Sequence, residues 1–132
     1  MSFELSVAGW LTIIYVLLVM LQGGLVPGRQ GFAWGLGSRD EPLDKSVFQQ
    51  RVDRTVANHG QAMLMFVPLI ILGEFAGISN DMTRLATGLF LVGRILFAPL
   101  YLAGVAYWRS AAFGLTLIAL VMYLVQLLPA MI

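Results

Sequence analysis

Residues 51–68 read RVDRTVANHGQAMLMFVP, and the reading of this stretch decides the fold. It begins as a charged amphipathic helix and passes without a break into an apolar segment suited to a membrane. At about 100° per residue, Arg51, Arg54, Asn58 and Gln61 fall within one stripe roughly 80° wide. Polar side chains entering a bilayer are costly unless they meet partners or a wet cavity. The stripe therefore reads as one wall of an anion-binding site.

The rest of the chain supports a membrane setting. Of 132 residues, 59% are hydrophobic and 11% are charged, and the mean hydropathy is +0.85. A soluble domain of this size cannot enclose so much apolar surface, so lipid must cover it. The length allows one domain, residues 1–132. A net charge of +1 without any basic block gives no reason to expect a nucleic-acid partner. With no cysteine there is no disulfide framework, thiolate metal site or cysteine nucleophile, so sulfur chemistry must come from a substrate. His59 lies about 80° or more from the stripe and has no second ligand; it reads as structural or interfacial, and no metal site is expected.

Four helices are expected, over residues 4–22, 46–76, 80–107 and 110–129. The first is a retained membrane span rather than a cleaved signal, because Glu4 occupies the place of a basic leader. Gly23 and Gly24 are expected to end it, with Pro27 and Gly28 preventing an early restart, and a glycine-rich polar loop follows to Lys45. Ser46 with Gln49 forms a capping-box pattern at the start of the second helix. Ser79, Asn80 or Asp81 caps the third. A break around Trp108 and Arg109 precedes the fourth, with Ser110 as its cap. The fold class is thus an all-α integral membrane protein, a four-transmembrane-helix bundle. Four spans put both termini on one side. Arg29, Arg39, Lys45, Arg51, Arg54 and Arg109 gather at the opposite side, which the positive-inside rule assigns to the cytoplasm, leaving the termini outside.

Counting from the turn near Ile78, Gln61 and Arg94 lie at nearly equal depth, as do Arg54 and Tyr101, and Asn58 falls between these rungs. Arg94 and Tyr101 are seven apart and share a helix face. Arg94 could instead satisfy a kinked backbone. Snorkelling is implausible at this depth, since the side chain would cross about 10 Å or more of hydrocarbon. Tyr101 alone is more often an interfacial aromatic, and Arg51 and Arg54 alone are common at cytoplasmic helix ends. Together the arginines face almost no acid, since Asp53 points away from the stripe. Such an imbalance in low dielectric calls for an anion, and guanidinium forks suit carboxylates and phosphates.

The pattern R-x-x-R-x-x-x-N-x-x-Q on the second helix, Arg94 with Tyr101, and the pair Arg109–Ser110 resemble the MAPEG family, the membrane-associated proteins in eicosanoid and glutathione metabolism, in a bacterial-type member. The resemblance implies a homotrimer in a bacterial inner membrane, with glutathione bound between subunits and the site open to the cytoplasm. Arg51, Arg54, Asn58, Gln61, Arg94 and Tyr101 would hold the tripeptide. Arg109 or Ser110 would stabilise its thiolate for attack on a lipophilic electrophile or hydroperoxide arriving through membrane lipid. Lowering a thiol pKa by two units takes about 2.7 kcal/mol of differential stabilisation, within reach of one well-placed arginine. One departure stands out: the family pattern ends in glutamate where this chain has Gln61, which keeps the shape and loses the charge.

The implied activity is a glutathione-dependent transferase or peroxidase. The alternative is a non-catalytic trimer of this kind binding another anion or a lipid headgroup, which Gln61 favours. A small four-helix exporter ranks last, because Glu4 and Glu74 sit at helix ends rather than within a span.

Overall fold

The structure is a computed structural model describing residues 1–132. Four helices follow one another: α1 (Phe3–Leu36), α2 (Val47–Phe75), α3 (Asp81–Ala103) and α4 (Ala106–Met131). Each is long and apolar enough to cross a membrane. They alternate in direction. The start of α1 meets the start of α3, where Glu4 Oε1 accepts from Thr83 Oγ1 at 2.7 Å and Ser79 Oγ at 3.1 Å. At the other end Arg51, near the start of α2, donates to the Leu102 carbonyl at the close of α3.

The core is a main apolar column with a smaller cluster of Leu18, Val52, Val56 and Ala98 toward the start of α2. Val7 and Leu11 of α1, Phe66 and Ile70 of α2, Phe90 of α3, and Tyr123 and Leu127 of α4 are its buried centre. Phe66 and Phe90 stack with ring centroids 3.8 Å apart, and Tyr123 meets Phe66 edge-on. The α3–α4 contact is built on small side chains. A Cβ on Gly93 would lie 2.6 Å from Thr116 Oγ1 and 3.1 Å from the Ala112 carbonyl, so only glycine allows this approach. Only 27 of 132 residues are buried, so most of the apolar side chains, among them Trp10, Leu64, Ile95 and Ile118, point outward. An apolar surface of that extent suits lipid and not water.

The helix starts on α2 and α3 follow local chemistry. Ser46 Oγ accepts from the Gln49 amide at 3.1 Å, and Gln49 Oε1 accepts from the Ser46 amide at 2.9 Å, completing the expected capping box. Of the three candidate caps for α3, Asn80 serves: its Oδ1 accepts from Met82 and Thr83 amides at 2.9 and 3.0 Å.

Four boundaries differ from expectation. The first helix does not end at Gly23–Gly24 but runs to Leu36, and its break falls at Gly31, with φ 81° and ψ 160°. A glycine inside a helix costs only about 1 kcal/mol relative to alanine, and here α2 and the segment before it supply the difference. Gln49 donates to the Leu25 carbonyl, Gln30 to the Asp44 carbonyl, and Arg29 pairs with Asp44. The polar loop shrinks to residues 37–46.

The third helix ends at Ala103, not Tyr107. Gly104, at φ 80°, closes it in the left-handed conformation, with the Val105 amide reaching back to the Leu100 carbonyl. Consequently α4 starts at Ala106, no side chain caps it, and Ser110 lies inside it with its hydroxyl donated to the Ala106 carbonyl. Finally, α4 continues past Pro129 to Met131.

Candidate functional site

The best-defined polar contact inside the bundle joins α2 to α3. Arg94 is 0% exposed. Its Nη1 donates to Asn58 Oδ1 at 2.9 Å, and its Nε and Nη2 lie 3.3 and 3.4 Å from His59 Nδ1. The guanidinium also stacks 4.5 Å from the Phe97 ring centroid. Depth counting pairs Arg94 with Gln61, yet the bonded partner is Asn58, about one turn nearer the N-terminal end of α2. Counting fixes a Cα level only, and an extended arginine spans more than the 5.4 Å of one turn.

A second contact lies toward the same end. Arg109 places its guanidinium carbon 4.5 Å from the centre of the Tyr101 ring, and Tyr101 also packs on Phe97. The two residues are half-buried and come from α4 and α3. Arg51 is nearby through the α3 terminus. Its Nη1 donates to the Leu102 carbonyl at 3.3 Å, and a Cβ on Gly104 would sit 2.6 Å from its Nη2. A cation at the negative end of a helix dipole is favourable, so Arg51 already has a structural task.

The remaining expected residues are bare. Arg54 and Gln61 are exposed on α2 and bond to nothing within the chain, and Ser110 is exposed with its hydroxyl turned to its own helix. The structure thus brings together Asn58 with Arg94, and Tyr101 with Arg109, and leaves Arg54, Gln61 and Ser110 outside any contact.

The charge imbalance is pronounced. The chain holds two ion pairs, Arg29–Asp44 and Lys45–Asp53, and neither involves Arg51, Arg54, Arg94 or Arg109. Asp53 is further occupied by Gln22 at 2.8 Å. It lines a cavity of about 930 Å³ between the second half of α1, the 37–46 loop and the first turns of α2. By helical spacing that cavity lies across α2 from the stripe, on the side of Gln49 and Asp53. A buried guanidinium with no carboxylate partner is expensive unless hydrogen bonds or an anion compensate it.

One residue of this constellation was missed by its sequence reading. His59 is 0% exposed, as its structural reading requires, but its bond to Arg94 makes it part of the polar cluster. The signal was available: Val52, His59 and Phe66 are seven apart, which puts the histidine on the core face of α2 opposite α3.

The fold defines an integral membrane helical bundle in which Arg51, Arg94 and Arg109 are held by neutral partners rather than carboxylates. The model of the MAPEG family matches residues 7–129, and the chain belongs to that family. Searches of curated proteins and of solved structures return no match. Membership assigns a multi-pass membrane protein with a glutathione-related transferase, peroxidase or allied membrane function in general.

Proposed function

We propose that the protein is a glutathione-dependent transferase or peroxidase acting on lipophilic electrophiles or hydroperoxides dissolved in the membrane. The observation that carries this reading is that Arg51, Arg54, Arg94 and Arg109, one of them wholly buried, have no carboxylate bonded to any of them. Glutathione is a small anion with two carboxylates, and guanidinium forks match them. Arg54, Asn58 and Gln61 line the binding wall, with Arg51, Arg94 and Tyr101 behind and beside it. Arg109 stands by the sulfur, with Ser110 as the alternative. A cation there favours thiolate over thiol, and the thiolate then attacks the electrophile.

The working unit of this proposal is a homotrimer of single-domain subunits in a bacterial inner membrane, termini outside and site open to the cytoplasm. Gln61 supports an oligomer. It lies 14 residues from the end of α2 at Phe75, about 21 Å along the axis at 1.5 Å per residue, and it is exposed without a partner. A neighbouring copy over this face would spare that amide from hydrocarbon.

Gln61 also favours a second reading, in which a similar trimer binds another anion or a lipid headgroup without catalysis, because the amide cannot neutralise an ammonium. Ultraviolet thiolate absorbance on adding glutathione near neutral pH separates the two. A gain that disappears in Arg109→Ala supports the enzyme, and no gain in the wild type sinks it.

A further inference from the structure

We propose that His59 is a positioning residue: through Arg94 it fixes the Asn58 amide with Nδ2 toward the ligand, so that Asn58 recognises a hydrogen-bond acceptor, a carbonyl or carboxylate oxygen. The inference rests on the reading of the stripe as an anion site and goes further, by stating which polarity one wall presents.

The assignment follows from donor and acceptor inventory. Arginine has only donors, so His59 Nδ1, facing Arg94 Nε and Nη2, must accept and carry no proton. The ring proton of the neutral imidazole then sits on Nε2, where it donates to the Leu11 carbonyl at 3.1 Å. The ring is held in plane by Tyr15, stacked at 5.8 Å with 17° between planes. A backbone carbonyl of α1 thereby sets the tautomer, and the tautomer sets Arg94.

The same logic reaches Asn58. Its two amide faces are interchangeable in shape and opposite in polarity. Arg94 Nη1 can only donate, so Oδ1 turns inward and Nδ2 turns away. Nδ2 makes no hydrogen bond within the chain, and Asn58 is half-buried on the stripe that carries Arg54 and Gln61. Arg94 itself is 0% exposed, while Asn58 is only half-buried. Its contribution to recognition passes through the Asn58 amide.

Two measurements test this. His59 is the only histidine of the chain, so protein labelled with ¹⁵N-histidine in detergent micelles reports one imidazole. A protonated Nε2 and a bare Nδ1 are expected; a proton on Nδ1 overturns the proposal whatever the protein binds. Glutathione titrations then compare paired variants. Asn58→Asp still accepts from Arg94, so the fold persists, but it turns a carboxylate oxygen toward the anion. It should bind about tenfold more weakly than Asn58→Ala, and binding equal to or tighter than that of Asn58→Ala overturns the proposal. His59→Phe keeps the stack on Tyr15 without an acceptor and should lose several-fold in affinity, part of which His59→Gln restores; no loss, or equal loss in both, contradicts the relay. A wild type that binds no glutathione while its ring shows the expected tautomer removes the glutathione reading and leaves the relay intact.

Discussion

Arg94 is enclosed on every side while Arg54 stands bare on the neighbouring helix, and the contrast separates what their substitutions do. Arg94→Ala leaves a cavity and strands the His59 and Asn58 acceptors, so thermal unfolding in detergent should show a loss of about 2–4 kcal/mol. Arg94→Met fills most of the volume and should recover part of that stability without recovering glutathione binding. Arg54→Ala, with no bond inside the chain, should leave the unfolding temperature unchanged and weaken binding about tenfold or more. Much of this was legible in the residues. A lone arginine at mid-span has few physical explanations, and its face could be inferred from spacing alone. Its partner could not, because side-chain reach across two tilted helices is not encoded in Cα counting. His59 lies off the polar stripe, and its part as the polar partner of a buried cation at a core position follows only from the fold.

At the scale of the elements, the helix ends that depend on adjacent residues were readable and those that depend on distant ones were not. The Ser46–Gln49 box needs only its own four residues, and it formed as expected. Gly23 and Gly24 look like a terminus in isolation. What carries the helix past them is Gln49, 24 residues from its acceptor at Leu25. At the α3–α4 junction the aromatic Trp108 and charged Arg109 drew attention, yet Gly104 supplies the left-handed residue that a helix close most often uses. Gly104→Ala should therefore be more destabilising than an ordinary surface change. It adds about 1–2 kcal/mol of backbone strain and pushes a methyl onto the Arg51 guanidinium. Unfolding in detergent should record it, and stability equal to wild type would refute the account of this turn. Gly93→Leu should act differently, forcing α3 from α4 at Thr116 with a cost of about 1–3 kcal/mol.

For the molecule as a whole, composition was the most reliable guide. The four spans and their outward apolar surface follow from hydropathy and length, because lipid imposes so few alternatives. Assembly is less directly written. It enters through Gln61 and Arg54, polar groups left uncovered on a helix that lipid would otherwise surround. Native mass spectrometry from mild detergent should show three copies, and a strictly monomeric species would remove the proposed intersubunit site. Binding of glutathione by Arg51, Arg54, Arg94 and Arg109, as proposed, is tested most directly by calorimetry of the detergent-solubilised protein. Saturable binding at up to millimolar glutathione, weakened about tenfold or more in Arg54→Ala while that variant unfolds at the wild-type temperature, is the predicted result. No binding heat from the wild type, or undiminished binding in Arg54→Ala, would contradict it.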